Sequence, residues 1–249
     1  MIDLKKINDY LLINDDCFSF LKQIPDHSVD LILTDPPYNI AKYSTGNLKF
    51  DWRSEVNNDL AEWDLKPFNP SLLLDEFKRI LSPKGNIFIF CSYNIIGEYH
   101  KVFDVAFDTF QFMVWHKTNP VPNFRKSSFL NSCELIVACW NKGHTWNFTT
   151  QKDMHNFIES GICMGNERVK NEFGKSLHPT QKPLSVLEKI IKIASNENDI
   201  VLDCFNGVGS TGEASLKLNR RYIGIEIDDI YFKATQERLM KYNKRSDKK

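Results

Sequence analysis

The chain has 249 residues, 42% of them hydrophobic and 26% charged, and its 32 basic side chains are balanced by 32 acidic ones. That length suits one α/β domain with an inserted subdomain, and the composition excludes a disordered chain and a disulfide miniprotein. Zero net charge removes whole-molecule attraction as a reason to bind nucleic acid, so such a partner must be met by a local basic surface.

The first residues, Met1 to Lys6, carry charge where a secretion signal needs an apolar run, and no apolar stretch elsewhere is long enough to span a bilayer. Six scattered cysteines (Cys17, Cys91, Cys133, Cys139, Cys163, Cys204) form no C-x-x-C pair, so neither a zinc site nor a disulfide framework is expected. A soluble protein of the reducing cytoplasm, with no metal, is the expectation.

Tyr10 to Ile13 is a short apolar run ending before Asp15-Asp16, and Val29 to Leu33 is a second, ending before Asp35. Such runs read as buried parallel strands, and groups at their carboxyl ends sit where open α/β sheets bind ligands. Ile40 to Leu60, with Tyr43, Gly46, Lys49 and Trp52, is polar enough to act as a lid over that edge. Leu73, Phe77, Ile80 and Leu81 follow helical spacing, and Pro83-Lys84-Gly85 separates them from the strand-like Asn86 to Phe90.

Phe110 to Trp115 and Glu134 to Trp140 predict a hairpin-like pair closing one sheet edge, joined by a loop rich in Pro, Asn and basic groups. Asn141 to Leu177 shows no sustained period and reads as an irregular insert, of the length that is usually functional or disordered. Beyond Pro183, Leu187, Ile190, Ile191 and Ala194 line a helix leading into Ile200-Val201-Leu202-Asp203. Arg221 to Glu226 is the last strand, followed by a helix to about Tyr242 and a basic tail, Lys244 to Lys249.

Two constellations carry chemistry. Asp203 to Gly212 runs from a strand through a glycine-rich turn into a helix, where glycines admit a ligand close to the backbone and the helix start offers free N–H groups. Gly207, Gly209 and Gly212 also satisfy G-x-G-x-x-G with Glu226 downstream, a pattern equally compatible with a dinucleotide; Glu226 is placed to take both hydrogen bonds of a ribose diol.

Thr34-Asp35-Pro36-Pro37-Tyr38 is more specific. Two prolines after a strand-end acid rigidify a turn, fix an aromatic ring beside the carboxylate and leave the Pro36 carbonyl to accept. The exocyclic amine of a base is a poor nucleophile because its lone pair is delocalised into the ring. Asp35 and the Pro36 carbonyl accepting its two N–H bonds draw it toward sp³ geometry, with Tyr38 stacking on a base that has left its helix.

Asp35-Pro36-Pro37-Tyr38, then His178-Pro179-Thr180-Gln181-Lys182-Pro183, then Asp203-x-Phe205-x-Gly207-x-Gly209 resembles the permuted β class of S-adenosylmethionine-dependent DNA amino-methyltransferases. The resemblance runs from about Leu11 to Tyr242 and includes Trp115 to Asn123, with Cys204 where the family usually has Pro and Ser210 where Thr is common. It implies a Rossmann-like, doubly wound, seven-stranded and mostly parallel α/β sheet, circularly permuted to start at the third strand and finish at the second. One catalytic domain, 1–249, then carries a target-recognition insert at 141–177.

By the same resemblance Asp35, Pro36, Pro37 and Tyr38 are catalytic. Asp16, Thr180, Gln181, Lys182, Asp203, Phe205, Gly207, Gly209 and Glu226 hold S-adenosyl-L-methionine, although Asp16 reads equally well as a helix N-cap. Lys117, Arg125, Lys126, Arg168 and Lys170 are the candidate DNA contacts, since basic groups on loops suit phosphates.

The implied reaction is methyl transfer to adenine N6 of a flipped base in DNA, because an aspartate-led turn favours adenine in the family; cytosine N4 offers the same two donors and stays open. Implied partners are double-stranded DNA, with a restriction endonuclease and a second copy of the chain left open. A binding module without turnover and a nicotinamide oxidoreductase are the rivals. The intact Asp35 to Tyr38 turn argues against the first, and the second leaves that turn and the His178 segment unexplained.

Overall fold

The computed structural model describes residues 2–38, 48–50, 53–56, 68–124, 126 and 128–242. Arg125, the tail from Lys244 and most of the expected lid lie outside the described residues. In chain order the elements are β1 (Tyr10–Asn14), α1 (Cys17–Leu21), β2 (Val29–Thr34), β3 (Leu48–Phe50), β4 (Arg53–Val56), α2 (Ser71–Ile80), β5 (Leu81–Cys91) and α3 (Ile96–Phe103). They continue with β6 (Thr109–Lys117), β7 (Cys133–Trp140), β8 (Phe157–Ser160), α4 (Leu184–Ala194), β9 (Ile200–Asp203), α5 (Ser210–Lys217), β10 (Arg221–Glu226) and α6 (Asp229–Met240).

The main sheet has the order β1-β10-β9-β2-β5-β7-β6-β8, and every pairing is parallel except those of β7. Chain start and chain end meet as neighbours, with Tyr10 opposite Tyr222 and Asn14 opposite Glu226, which is the permuted order expected. Strand residues alternate between two cores. Val29, Ile32, Ile87, Ile89, Leu202 and Ile223 face α1, α2 and α3, while Leu31, Leu33, Phe88, Phe90, Val201 and Tyr222 face α4, α5 and α6.

Three sequence expectations are corrected. The sheet has eight strands, not seven: β8 forms inside the segment read as irregular and pairs with β6 from Val114–Phe157 to Lys117–Ser160. Only Ile158 of its four residues is buried, so no apolar run announces it; backbone pairing with β6 creates it, helped by Trp115 Nε1 donating to Ser160 Oγ at 2.9 Å. The β6–β7 pair is antiparallel as expected, yet β6 lies inside the sheet because β8 covers its free side.

Leu81, third, belongs to β5 and not to the preceding helix, pairing with Val29. The register then shifts before Leu31, around Pro83-Lys84-Gly85, where a Cβ on Gly85 would lie 2.6 Å from Leu81 Cδ1 and 3.1 Å from the Asp30 carbonyl. The structure adds α3, which the sequence reading did not place, with Tyr99 and Phe103 buried one helical turn apart.

Arg79 ties α2 to the chain after α1, donating to the carbonyls of Leu21 (2.9 Å) and Ile24 (2.7 Å) and pairing with Glu76 and Asp26. Arg79→Met keeps the stem but strands the Ile24 carbonyl, the Leu21 carbonyl still accepting the Ile24 N–H at 3.1 Å, and it is expected to lower unfolding stability by about 1–2 kcal/mol. A urea midpoint equal to that of the unchanged protein would contradict that reading.

Candidate active site

Because β1, β10, β9 and β2 are parallel, their carboxyl ends share one edge, bringing Asp16, Glu226, Asp203 and Asp35 to the same side. β7 runs the opposite way, so its first residues, Cys133 and Glu134, arrive at that edge too. Lys117 at the end of β6 and Lys182 just before α4 complete it.

Five side chains interlock there. Lys182 Nζ lies 2.5 Å from Asp35 Oδ2 and 3.4 Å from Glu134 Oε2, and Lys117 Nζ lies 2.7 Å from Glu134 Oε1. The Tyr38 hydroxyl donates to Asp35 Oδ1 at 2.5 Å and also reaches Glu134 Oε2 at 3.2 Å. Lys182 Nζ further sits 5.1 Å from the ring centroids of both Tyr38 and Phe90, a cation–π arrangement.

Desolvation pushes the Asp35 carboxyl above its usual range, with the Lys182 ammonium opposing and Glu134 adding to the rise. Desolvation acts on Glu134 in the same sense, but the Lys182 and Lys117 ammoniums outweigh it and hold that carboxylate below its usual range. Lys182, whose burial alone favours the neutral amine, is kept protonated by Asp35 and Glu134. Desolvation, and then Asp35, raise the Tyr38 phenol well above its normal range, so it serves as a hydrogen-bond donor.

The second group is built on the turn after β9. The Thr34 hydroxyl donates to Asp203 Oδ1 at 2.7 Å, joining the ends of β2 and β9. Gly207 and Gly209 adopt left-handed φ of 54° and 76°, and Gly209 caps α5. A Cβ on Gly209 would lie 2.7 Å from Thr235 Cγ2, so the turn rests directly on α6.

Asn206 locks it in place, donating to the Gly207 carbonyl (2.9 Å) and to Thr235 Oγ1 (2.8 Å) while accepting from the buried Tyr222 hydroxyl (2.7 Å). Glu226 Oε2 accepts the Gly207 N–H at 2.6 Å, and Oε1 accepts that of Asp228 at 2.9 Å. Burial raises Asp203 to about 6 and Glu226 to about 7. The Phe205 ring stands edge-on to Phe18 and Phe68, with centroids 6.5 and 5.7 Å away.

A sequence profile described as DNA methylase matches residues 29–237. The chain belongs to the DNA methylase family. It is 37% identical to the Type II methyltransferase M.HinfI of Haemophilus influenzae, over 94% of this chain and 70% of that protein. Against the Type II methyltransferase M2.DpnII of Streptococcus pneumoniae it is 30% identical, over 93% of this chain and 90% of that one. The crystal structure of the M1.HpyAVI–SAM complex superimposes with a TM-score of 0.66 at 28% identity, covering 92% of this chain and all 100% of the other.

In this DNA methylase the expected site residues are divided by the fold. Asp35 to Tyr38, Asp203, Phe205, Gly207, Gly209 and Glu226 gather on the common edge. Asp16 is the N-cap of α1, its Oδ2 accepting the Ser19 N–H at 3.0 Å. Gln181 is consumed by the insert, donating to the Glu167 carbonyl (2.8 Å) and accepting from the Val169 N–H (2.9 Å). Thr180 is exposed, its N–H donating to His178 Nδ1 at 3.3 Å. Lys182 points to the Asp35 turn.

Among the expected DNA contacts, Lys126 and Lys170 are exposed, but Lys117 is paired with Glu134. Arg168 is spent on the Ser176 hydroxyl and the Pro179 carbonyl, at 2.5 and 2.7 Å, tying the insert to the His178 segment. Burial lowers His178 to about 4, so it is a neutral ring, placed so that a Cβ on Gly207 would lie 3.2 Å from its Nε2. Glu134 went unassigned in the sequence; the one signal for it is an acid at the head of an otherwise apolar strand. Among the described residues no helix is long and apolar enough to cross a membrane.

Proposed function

We propose that this DNA methylase transfers the methyl group of S-adenosylmethionine to N6 of an adenine flipped out of duplex DNA. The observation that carries the reading is the 2.7 Å bond between Thr34 and Asp203, which sets the amine-accepting turn and the glycine turn on adjacent strand ends. The relatives named Type II methyltransferases support a restriction-modification setting; a cytoplasmic location, an endonuclease of matching specificity and self-association are part of the proposal.

The chemistry of the glycine turn fits the cofactor. Asp203 and Glu226 are buried carboxylates without an ion pair among the described residues, beside backbone that only glycine leaves open. An ammonium and a sulfonium supply the missing positive charge, and each Glu226 oxygen retains a lone pair for a ribose hydroxyl. Asp203, Phe205, Gly207, Gly209 and Glu226 would hold the cofactor, which when bound supplies a methyl group on a sulfonium leaving group.

The chain's own work is to prepare the amine. Asp35 accepts one N–H of the adenine amine and the Pro36 carbonyl the other, so the nitrogen lone pair is drawn out of the ring and the developing positive charge meets a carboxylate. The rigid prolines prevent the turn from following the base as it settles. Tyr38 presents its ring to the base on the face opposite Lys182, while its hydroxyl orients Asp35. Lys126 and Lys170 serve as phosphate contacts that position the duplex without reading it.

A pH test follows from the two raised carboxyls. The folded protein holds protons on Asp203 and Glu226 more tightly than the unfolded chain does. Their stabilising contribution is therefore full at low pH and is lost as pH rises through about 6 and about 7. A cationic ligand reverses the preference by favouring the ionised forms, so S-adenosylmethionine affinity should rise between about pH 5 and pH 8 with release of protons. Calorimetric heats at neutral pH should then depend on the buffer's ionisation enthalpy; buffer-independent heats would remove these two groups from the cofactor site.

The reaction is tested by incubating the protein with S-adenosylmethionine and duplex DNA lacking prior methylation, digesting, and quantifying nucleosides by mass spectrometry. N6-methyl-2′-deoxyadenosine supports the reading, N4-methyl-2′-deoxycytidine corrects the base, and absence of any methylated deoxynucleoside overturns it.

A further inference from the structure

Both oxygens of Asp35 are engaged, Oδ1 by the Tyr38 hydroxyl and Oδ2 by Lys182, each at 2.5 Å. An amine that gains positive charge during methylation competes with the Lys182 ammonium for one carboxylate, and two cations beside one anion repel. Tyr38 and Lys182 share a second acceptor, Glu134 Oε2, at 3.2 and 3.4 Å respectively. Glu134 is itself anchored, because Lys117 holds its other oxygen at 2.7 Å. The molecule thus sets a fixed second carboxylate opposite the first, within a 0.9 Å difference in reach for Lys182 (3.4 against 2.5 Å).

We propose that Glu134 is a positioning residue that receives Lys182 when the base amine takes its place on Asp35. The inference rests on the methyl-transfer reading of the Asp35 turn. No proton or covalent bond changes hands: Lys182 stays protonated and exchanges one carboxylate partner for another. Asp35 regains a free oxygen for the amine, and the ammonium avoids the large cost of standing unpaired in a desolvated site. The charged and titratable groups facing Asp35 are Tyr38 from its own turn, Lys182 ahead of α4, Glu134 on β7, Cys91 on β5, Tyr99 on α3 and Asp203 on β9.

Single-turnover methylation of a long unmethylated duplex with tritiated S-adenosylmethionine, followed across pH, tests the exchange. Glu134→Gln is expected to slow methyl transfer about tenfold or more, while calorimetric affinity for S-adenosylmethionine changes less than about twofold. Its acid limb moves to lower pH, because one negative neighbour of Asp35 is gone. Adding Lys182→Met to Glu134→Gln removes the competing cation and recovers part of the lost rate, a coupling that a merely structural glutamate would not show.

A Glu134→Gln rate equal to wild type, or a double variant slower than the single, overturns the proposal. In a crystal structure of the wild-type protein with DNA and the unreactive analogue sinefungin, Lys182 Nζ should lie nearer Glu134 than Asp35; Lys182 still seated on Asp35 beside a bound base overturns it without any variant. Wild-type protein that labels no DNA removes the methyl-transfer reading as well, whereas an active wild type with an indifferent Glu134 removes this inference alone.

Discussion

Replacing Asp35 by alanine is expected to lower the rate of methyl transfer by about 10²–10³-fold, the range found when a preorganised group facing developing charge is deleted. Asp35 is the one carboxylate of the turn, and its loss leaves the amine with the neutral Pro36 carbonyl. The fold should survive, since Lys182 and Tyr38 keep Glu134 Oε2 within 3.4 and 3.2 Å. Cofactor affinity should be nearly unchanged, because Asp203 and Glu226 are untouched. The loss therefore falls on kcat and not on cofactor binding. Asp35→Asn keeps an acceptor oxygen without the charge and should fall between. Single-turnover rates separate the cases, and an alanine variant within about tenfold of wild type would remove Asp35 from the chemistry.

Asn206→Leu should produce the second large effect, on stability and cofactor affinity together. Among the described residues Asn206 is the one acceptor for the fully buried Tyr222 hydroxyl, and it donates to the Gly207 carbonyl. A leucine of similar size strands that hydroxyl and loosens the turn, and stranded buried polar groups cost about 1–3 kcal/mol each. A total near 3 kcal/mol lowers Tm by about 6–12 °C for a chain of this length.

S-adenosylmethionine affinity should fall about tenfold as the glycine turn loses its anchor, equivalent to about 1.4 kcal/mol. Adding Tyr222→Phe removes the orphaned hydroxyl and should recover at least about 1 kcal/mol of stability, though not the affinity. Thermal melts and calorimetry read both quantities; a double variant no more stable than the single would show that the hydroxyl is not the source of the cost.

The two halves of the site were legible in the sequence for a local reason. Leu31 to Leu33 and Ile200 to Leu202 are continuous apolar runs, as strands buried on both faces must be, and each is followed within two residues by its carboxylate and then by its turn residues. Proline rigidity at Pro36-Pro37 and positive φ at Gly207 and Gly209 are properties of contiguous residues. The partners of the basic groups are not local in this way. Lys117 and Arg168 look like phosphate contacts in a list of loop cations, yet one neutralises Glu134 and the other stitches the insert to the chain before α4. Lys182, grouped with the cofactor residues by its motif, is paired in the fold with Asp35.

What the sequence by itself determined is the α/β class, the permuted order of the motifs, the family and the two strand-end constellations, because each is written in residues adjacent along the chain. Only the tertiary structure decided that β8 exists, that β6 is internal, and that Glu134 joins Asp35. Tyr38 and Glu134 are separated by 96 positions and Asp35 and Lys182 by 147. Glu134 reaches them because β7 runs antiparallel to its neighbours in the main sheet, which turns the start of that strand toward the edge where the parallel strands end. The antiparallel β6–β7 pair was legible in the sequence, but the strand that β7 lies against on its other side, β5, is set by backbone pairing across the whole fold, and no local pattern of side chains encodes it.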